Sequence, residues 1–269
     1  MFTRVAIALT AILVLFLALP VVGLLLRVSP GEVVARLSDA DVREALLLSL
    51  RTTAVSCALV VLLGTPAAYV LATRGFAGKA AVESLLELPM VLPPTVAGFA
   101  LLCAFGRMGL AGHALTAFGV QLPFTTAAVV VAQTFMAAPY FVSPARAGFE
   151  SVDRRLLEAA GTLRAGEAFR FTRILVPLSL PSLLAGLALA AARALGEFGA
   201  TIMFAGNLGG VTRTMPLAVY VALQSDVDTA LVLSVLLLAA SVALLAGLRL
   251  LRHRRTGLTP FDARTPRPA

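Results

Sequence analysis

Six stretches of the chain, about 5 to 27, 46 to 73, 80 to 105, 124 to 147, 178 to 204 and 228 to 251, are each apolar over the length a helix needs to cross a bilayer. A hydrocarbon layer ~30 Å thick takes about 20 such residues per crossing, and lipid offers no partner to an unpaired backbone group. The sequence is therefore expected to be all-α, a polytopic membrane protein of six transmembrane helices. With 59% hydrophobic and 13% charged residues and a mean hydropathy of +0.94, it leaves little material for a water-soluble domain. The first run follows Arg4, but it is longer than the apolar part of a secretory signal and no small-x-small cleavage site closes it. A retained first span is expected.

The net charge of +8 and a pI near 10.9 do not point to nucleic acid, because the arginines are scattered between apolar runs instead of forming one patch. They bear on orientation. With the N-terminus in the cytoplasm, the inside segments collect Arg4, Arg74, Lys79, Arg146, Arg154, Arg155, Arg164, Arg170, Arg173 and the arginines of the C-terminal tail. The outside keeps few cations, and Glu32, Asp39, Asp41 and Glu44 make its first loop acidic. The positive-inside rule then puts both termini in the cytoplasm. Cys57 and Cys103 fall within apolar runs, and His113 and His253 lack ligand spacing, so neither a disulfide nor a metal site is expected.

Two spans carry irregular chemistry. In ELPMVLPPTVAGFALL (87 to 102), Pro89, Pro93 and Pro94 remove backbone donors within two turns, and a regular helix cannot pass unbroken. Such a break, with Thr95 just beyond it, is either a packing kink or part of a transport pathway. In AARALGEFGATIMFAGN (191 to 207), Arg193 and Glu197 share a helix face at i, i+4 and lower each other's desolvation cost. A structural ion pair and a pathway role both remain open. Gly196 and Gly199 would let another backbone approach closely.

Between the fourth and fifth runs lies a charged island, LEAAGTLRAGEAFRFTRILVP (157 to 177). It is too short for a domain and too charged for lipid, and reads as short surface helices. Asp153 is placed to cap the first, Ala159, Ala160 and Gly161 give it a low-relief face, and Phe169 and Phe171 are apolar anchors outside the membrane. Such a patch is either an ordinary solvated loop or a docking surface for a soluble partner.

The island resembles the EAA loop of ABC importer permeases, whose pattern is E-A-A, three residues, G, nine residues, I, one residue, L-P. Glu158, Ala159, Ala160, Ile174 and Pro177 match in register, while Arg164 stands at the family glycine and Val176 at the leucine. Residues 87 to 102, FGRMGLAG (105 to 112) and 192 to 220 are similar to the permease subunits of molybdate-type ABC transporters, and sulfate permeases share the stretch around Arg193 and Glu197. Gly209 and Gly210 depart from an expected proline and glycine.

The resemblance implies a first helix and acidic outer loop over 1 to 45, a permease core over 46 to 252 with its EAA loop at 153 to 177, and a basic cytoplasmic tail over 253 to 269. It implies a multi-pass subunit of a bacterial inner membrane importer for an oxyanion, molybdate foremost, with sulfate or tungstate as alternatives. Two such subunits would form a homodimer in the lipid bilayer, with two ATP-binding subunits on the loops and an external oxyanion-binding protein opposite. Glu158, Ala159, Ala160, Gly161, Leu163 and Phe169 would couple to the ATPase; Pro93, Pro94, Thr95, Arg193 and Glu197 would line the pathway. No phosphate-binding G-x-x-x-x-G-K-[ST] loop is present, so ATP and magnesium belong to the partner ATPase and this chain is not itself an enzyme. An intramembrane enzyme would need a paired nucleophile and base, and Ser56, Ser182 and Ser234 have no histidine or lysine in another span.

Overall fold

A computed structural model describes residues 2–256, and every regular element among them is helical. From the start, α1 is Phe2–Leu25, α2 Pro30–Leu37, α3 Ala40–Thr73, α4 Lys79–Val91, α5 Pro94–Phe105, α6 Gly112–Ala117 and α7 Thr126–Glu150. The island supplies α8 (Arg154–Thr162) and α9 (Glu167–Arg170), joined through a π turn at Phe171–Leu175 to α10 (Val176–Leu195). There follow α11 (Gly199–Ala205), α12 (Met215–Ser225) and α13 (Val227–Thr256). Among the described residues, five helices are long and apolar enough to cross a membrane, and the α4–α5 pair, bent by 119°, is a broken sixth.

That the pair counts as a crossing follows from its neighbours. The Ser56 hydroxyl on α3 sits 3.1 Å from Gln133 Oε1 on α7, Gly64 faces Phe141, and the Tyr69 and Phe149 rings lie 6.4 Å apart. Positions rise together on both helices, so α3 and α7 are parallel. The chain between them must therefore return across the bundle, and α4 with α5 is what returns it. Helix α10 then runs antiparallel to α7: the Ser179 hydroxyl donates to the Gly148 carbonyl at 3.0 Å, and Gly186 passes Phe141. All of 73 to 83 and 146 to 175 thus gather at one end, with the loops 26 to 45, 106 to 125 and 206 to 226 at the other.

Small residues build the α7–α10 contact. A Cβ added at Gly148 would lie 2.5 Å from Ser182 Cβ, and one at Gly186 would lie 3.0 Å from the Phe141 carbonyl oxygen. In lipid, where apolar side chains gain nothing by leaving solvent, close backbone approach and dispersion hold helices together. The core of α3, α7 and α10 accordingly alternates Ala68, Ala137, Ala145, Ala190 and Ala194 with a few large side chains such as Phe141 and Phe149. Helix α1 is the opposite case: its apolar side chains stay exposed along its length, ready for lipid.

The helix ends follow local chemistry. Ser29 and Glu32 form a capping box ahead of α2, with Pro30 in the first turn. Thr125 caps α7 by accepting the Ala128 N–H at 3.2 Å. At the loop-rich end, Arg36 bridges Asp39 at 3.2 Å and Asp226 at 3.7 Å, tying α2 to the start of α13. The Thr229 hydroxyl donates to Asp226 and, with Arg36 nearby, holds that carboxyl below the usual range.

One sequence expectation needs correction: the run from 178 to 204 is not one helix, because Gly196, Glu197 and Phe198 separate α10 from α11. The segment between the last two apolar runs holds α12, whose first N–H donates to the Ser49 hydroxyl at 2.7 Å. Ahead of it Arg213 is half-buried, and its Nε donates to Asn207 at 2.9 Å. Of the basic tail from 253, the part after Thr256 lies outside the described residues.

Candidate functional site

Two places gather the residues singled out by sequence. The first is the island. Asp153 caps α8 by accepting the Arg155 N–H at 2.9 Å, as its position next to the helix suggests. The helix ends in a complete Schellman motif: the Ala165 N–H donates to the Ala160 carbonyl at 3.0 Å and the Arg164 N–H to the Gly161 carbonyl at 2.9 Å. This geometry requires a left-handed residue after the cap, and Arg164 takes that role with φ 59°. The position where the EAA pattern has glycine is thus the one whose backbone asks for glycine. The arginine adopts the same turn at a steric cost of about 1 kcal/mol.

The turn folds α9 back beside α8 and leaves an apolar surface facing away from the bundle. Leu163 is 84% exposed and Phe169 54%, with Leu156 also outward. Glu158, Ala159 and Gly161 are exposed beside them, and a Cβ on Gly161 would meet only the Arg170 side chain at 3.7 Å. Ala160 is half-buried, turned partly toward the fold. The two phenylalanines divide the work that the sequence assigned to both. Phe171 is the anchor, its ring 4.9 Å from Tyr69 and 6.1 Å from Phe149, whereas Phe169 is the one left outside. An ion pair between Arg74 and Glu167 fixes the island to the end of α3.

The second place is formed by two helix breaks. Pro93 and Pro94 end α4 and start α5; Gly196 to Phe198 end α10 and start α11. The two meet: a Cβ on Gly199 would lie 2.7 Å from Pro94 Cβ and 3.2 Å from the Thr95 nitrogen, and one on Gly98 would lie 2.6 Å from the Ala200 carbonyl oxygen. Of the two glycines expected to allow such an approach, Gly199 does so and Gly196 does not, its nearest neighbour being its own helix. Behind them Ala97, Leu101, Ala132, Met136, Ala200 and Phe204 close a buried cluster. Pro93, Pro94, Thr95 and Gly196 remain exposed on the front.

Glu197 occupies the break itself. It is fully buried, its Oε1 accepts the Ala200 N–H at 2.6 Å, and its Oε2 lies 2.6 Å from Arg193 Nη1. The carboxylate therefore caps α11 and pairs with a cation in the last turn of α10, two favourable positions for those charges. Arg193 keeps a fifth of its side chain exposed while Glu197 has none. Sequence spacing found the pair but not the break, since an i, i+4 match reads as continuous helix; the glycines on either side of Glu197 were the available sign.

Known proteins agree with this architecture. Residues 60–256 match the family described as binding-protein-dependent transport system inner membrane component. The molybdenum transport system permease protein ModB of Mycobacterium tuberculosis is 43% identical over 234 residues, 87% of this chain and 89% of that protein. The probable transport system permease protein NifC of Clostridium pasteurianum is 36% identical over 90% of this chain and 85% of its own length. A crystal structure of a bacterial alginate ABC transporter, in complex with an alginate pentasaccharide-bound periplasmic protein, superposes with a TM-score of 0.77 over 95% of each chain at 16% identity, a likeness of fold. With the family match spanning most of the chain and a relative 43% identical over 87% of it, this chain is a member of the family of inner membrane components of binding-protein-dependent transport systems.

Proposed function

We propose that this chain is the permease subunit of an ATP-driven importer of an oxyanion, with molybdate as the substrate. Two copies form the pathway, two cytoplasmic ATPases seat on the α8–α9 surface, and an external binding protein delivers the anion to the opposite end. The island, α1's start and α13's end then face the cytoplasm of a bacterial inner membrane, in line with the positive-inside count. The observation that carries the reading is the exposed surface of Leu163, Phe169, Ala159 and Gly161 on a capped, bundle-anchored helix pair, in a chain 43% identical to a molybdenum transport permease. Exposed apolar side chains gathered on one surface and rimmed by polar residues mark protein–protein contacts.

The chemistry is transport, with ATP and its magnesium held by the ATPases. Closure of the ATPases on nucleotide moves the island, and the spans rock between states that open to one side or the other. Helix breaks suit this motion, because they let half a span move without stretching a backbone hydrogen bond in lipid. Arg193 supplies partial compensation to an anion passing the α5–α11 contact; Glu197 keeps that attraction weak enough for release. Uptake of labelled molybdate by cells expressing the importer, with sulfate in excess, tests the substrate. Molybdate uptake that persists supports the assignment, and uptake abolished by sulfate reassigns the subunit to sulfate.

A further inference from the structure

Helix α4 is attached to the bundle in an unusual way. Its exposure pattern turns Lys79, Glu83, Leu86 and Pro89 inward, and α7 is its principal neighbour. Two of those four positions are charged and only Leu86 is a large aliphatic side chain. Beside the packing of Leu86 on the core and the burial of Pro89, α4 is held by charge: Arg146 on α7 places Nη1 2.8 Å from Glu83 Oε1 while its Nε donates to Glu150 at 2.7 Å, and Lys79 approaches Glu83 at 3.9 Å. Arg146 and Glu83 are both about a quarter exposed, half-withdrawn from water, where an ion pair is worth more than on an open surface and costs more to leave unpaired. The guanidinium fork is suited to holding two carboxylates on two helices at once.

The position of this clasp gives it a function. Glu150 is the last residue of α7, and only Ser151, Val152 and Asp153 separate it from α8 of the island. Glu83 is on α4, which leads straight to the break at Leu92 and Pro93 and so to the contact of α5 with α11. We propose that Arg146 is a positioning residue of the transport cycle: its bridge from Glu150 to Glu83 carries displacement of the island into the broken span. This rests on the importer reading above. An interface wholly of apolar packing would resist sliding at every step, whereas one that adds a forked ion pair with Lys79 alongside to a single large aliphatic contact holds α4 in tow while allowing its angle to change. The island's own ionic tie, Arg74 to Glu167, runs instead to the end of α3, a continuous helix.

The test uses the full transporter in proteoliposomes with its ATPase and binding protein, measuring anion taken up per ATP hydrolysed. Arg146→Ala and the near-isosteric Glu83→Gln are expected to assemble and hydrolyse ATP at rates near the parent, with uptake per ATP reduced about tenfold; Arg146→Lys, which keeps the charge but not the fork, should recover an intermediate ratio. Unchanged uptake per ATP in both variants, equal loss of hydrolysis and uptake, or failure of both to assemble would overturn the proposal and leave the cluster as a structural anchor. A parent complex with no ATP-driven anion uptake would instead remove the importer reading itself.

Discussion

The buried carboxylate of Glu197 is shared between a backbone N–H of α11, from Ala200 at 2.6 Å, and the Arg193 guanidinium of α10 at 2.6 Å. One side chain therefore joins the two halves of a broken span. Replacing it with Gln keeps an acceptor for Ala200 but leaves a mostly buried arginine uncompensated, a change that costs about 3 kcal/mol in comparable buried pairs. Glu197→Gln and Arg193→Gln are both expected to lower thermal stability in detergent, since each strands a buried charge, and Arg193→Gln is expected to reduce anion uptake as well. If Arg193→Gln left uptake and ion preference at parent values, the pair would be a structural joint only.

The close contact of α5 with α11 predicts a sharp contrast between two glycines. Gly98→Ala forces a methyl group against the Ala200 backbone and is expected to destabilise by about 1–3 kcal/mol, the usual range for overpacking. Gly196→Ala, exposed and with ordinary contact at 3.4 Å, is expected to be near neutral. Unfolding midpoints of the two purified variants check the ordering.

Arg164 pays for a conformation that glycine would take freely. Arg164→Gly should relax the Schellman turn and stabilise the island by roughly 0.5–1 kcal/mol, less the greater entropy of an unfolded glycine. Arg164→Val should do the reverse, since a β-branched side chain tolerates positive φ poorly. Resistance of the loop between 153 and 177 to limited proteolysis is the direct measurement.

The exposed apolar surface of the island predicts separable effects on folding and docking. Leu163 contributes almost nothing to the fold, so Leu163→Asp should insert and fold normally yet bind the ATPase roughly 30-fold more weakly, the loss typical of a central apolar contact of ~2 kcal/mol. Ala160→Glu should block docking as well, with an added cost to the turn because Ala160 is half-buried. Co-purification of the ATPase with each variant reports the difference, and normal recovery with both would place the interface elsewhere.

Much of this was legible in the sequence because membrane folds obey a strict rule: length and polarity decide what crosses. The six runs, the proline break and the capped surface helix all follow from local residues such as Pro93, Pro94 and Asp153. What was not legible depended on neighbours. The α10–α11 break is stabilised by Glu197 reaching Ala200, which sequence shows only as spacing compatible with unbroken helix. Helix α12, at 11 residues, is too short for a span and gave no crossing signal. That the two breaks meet, and that Phe171 anchors while Phe169 does not, are tertiary facts that come from how α3, α7 and α10 are ordered.

The proposed role of this chain is to convert ATP hydrolysis by a docked partner into movement of an oxyanion across a membrane. Reconstitution into proteoliposomes with the ATPase inside and the molybdate-loaded binding protein outside tests it most directly, by following labelled molybdate with and without internal ATP. Accumulation is expected to require ATP and to be lost in Leu163→Asp; molybdate flux that proceeds equally without ATP, or that survives Leu163→Asp unchanged, would rule this role out.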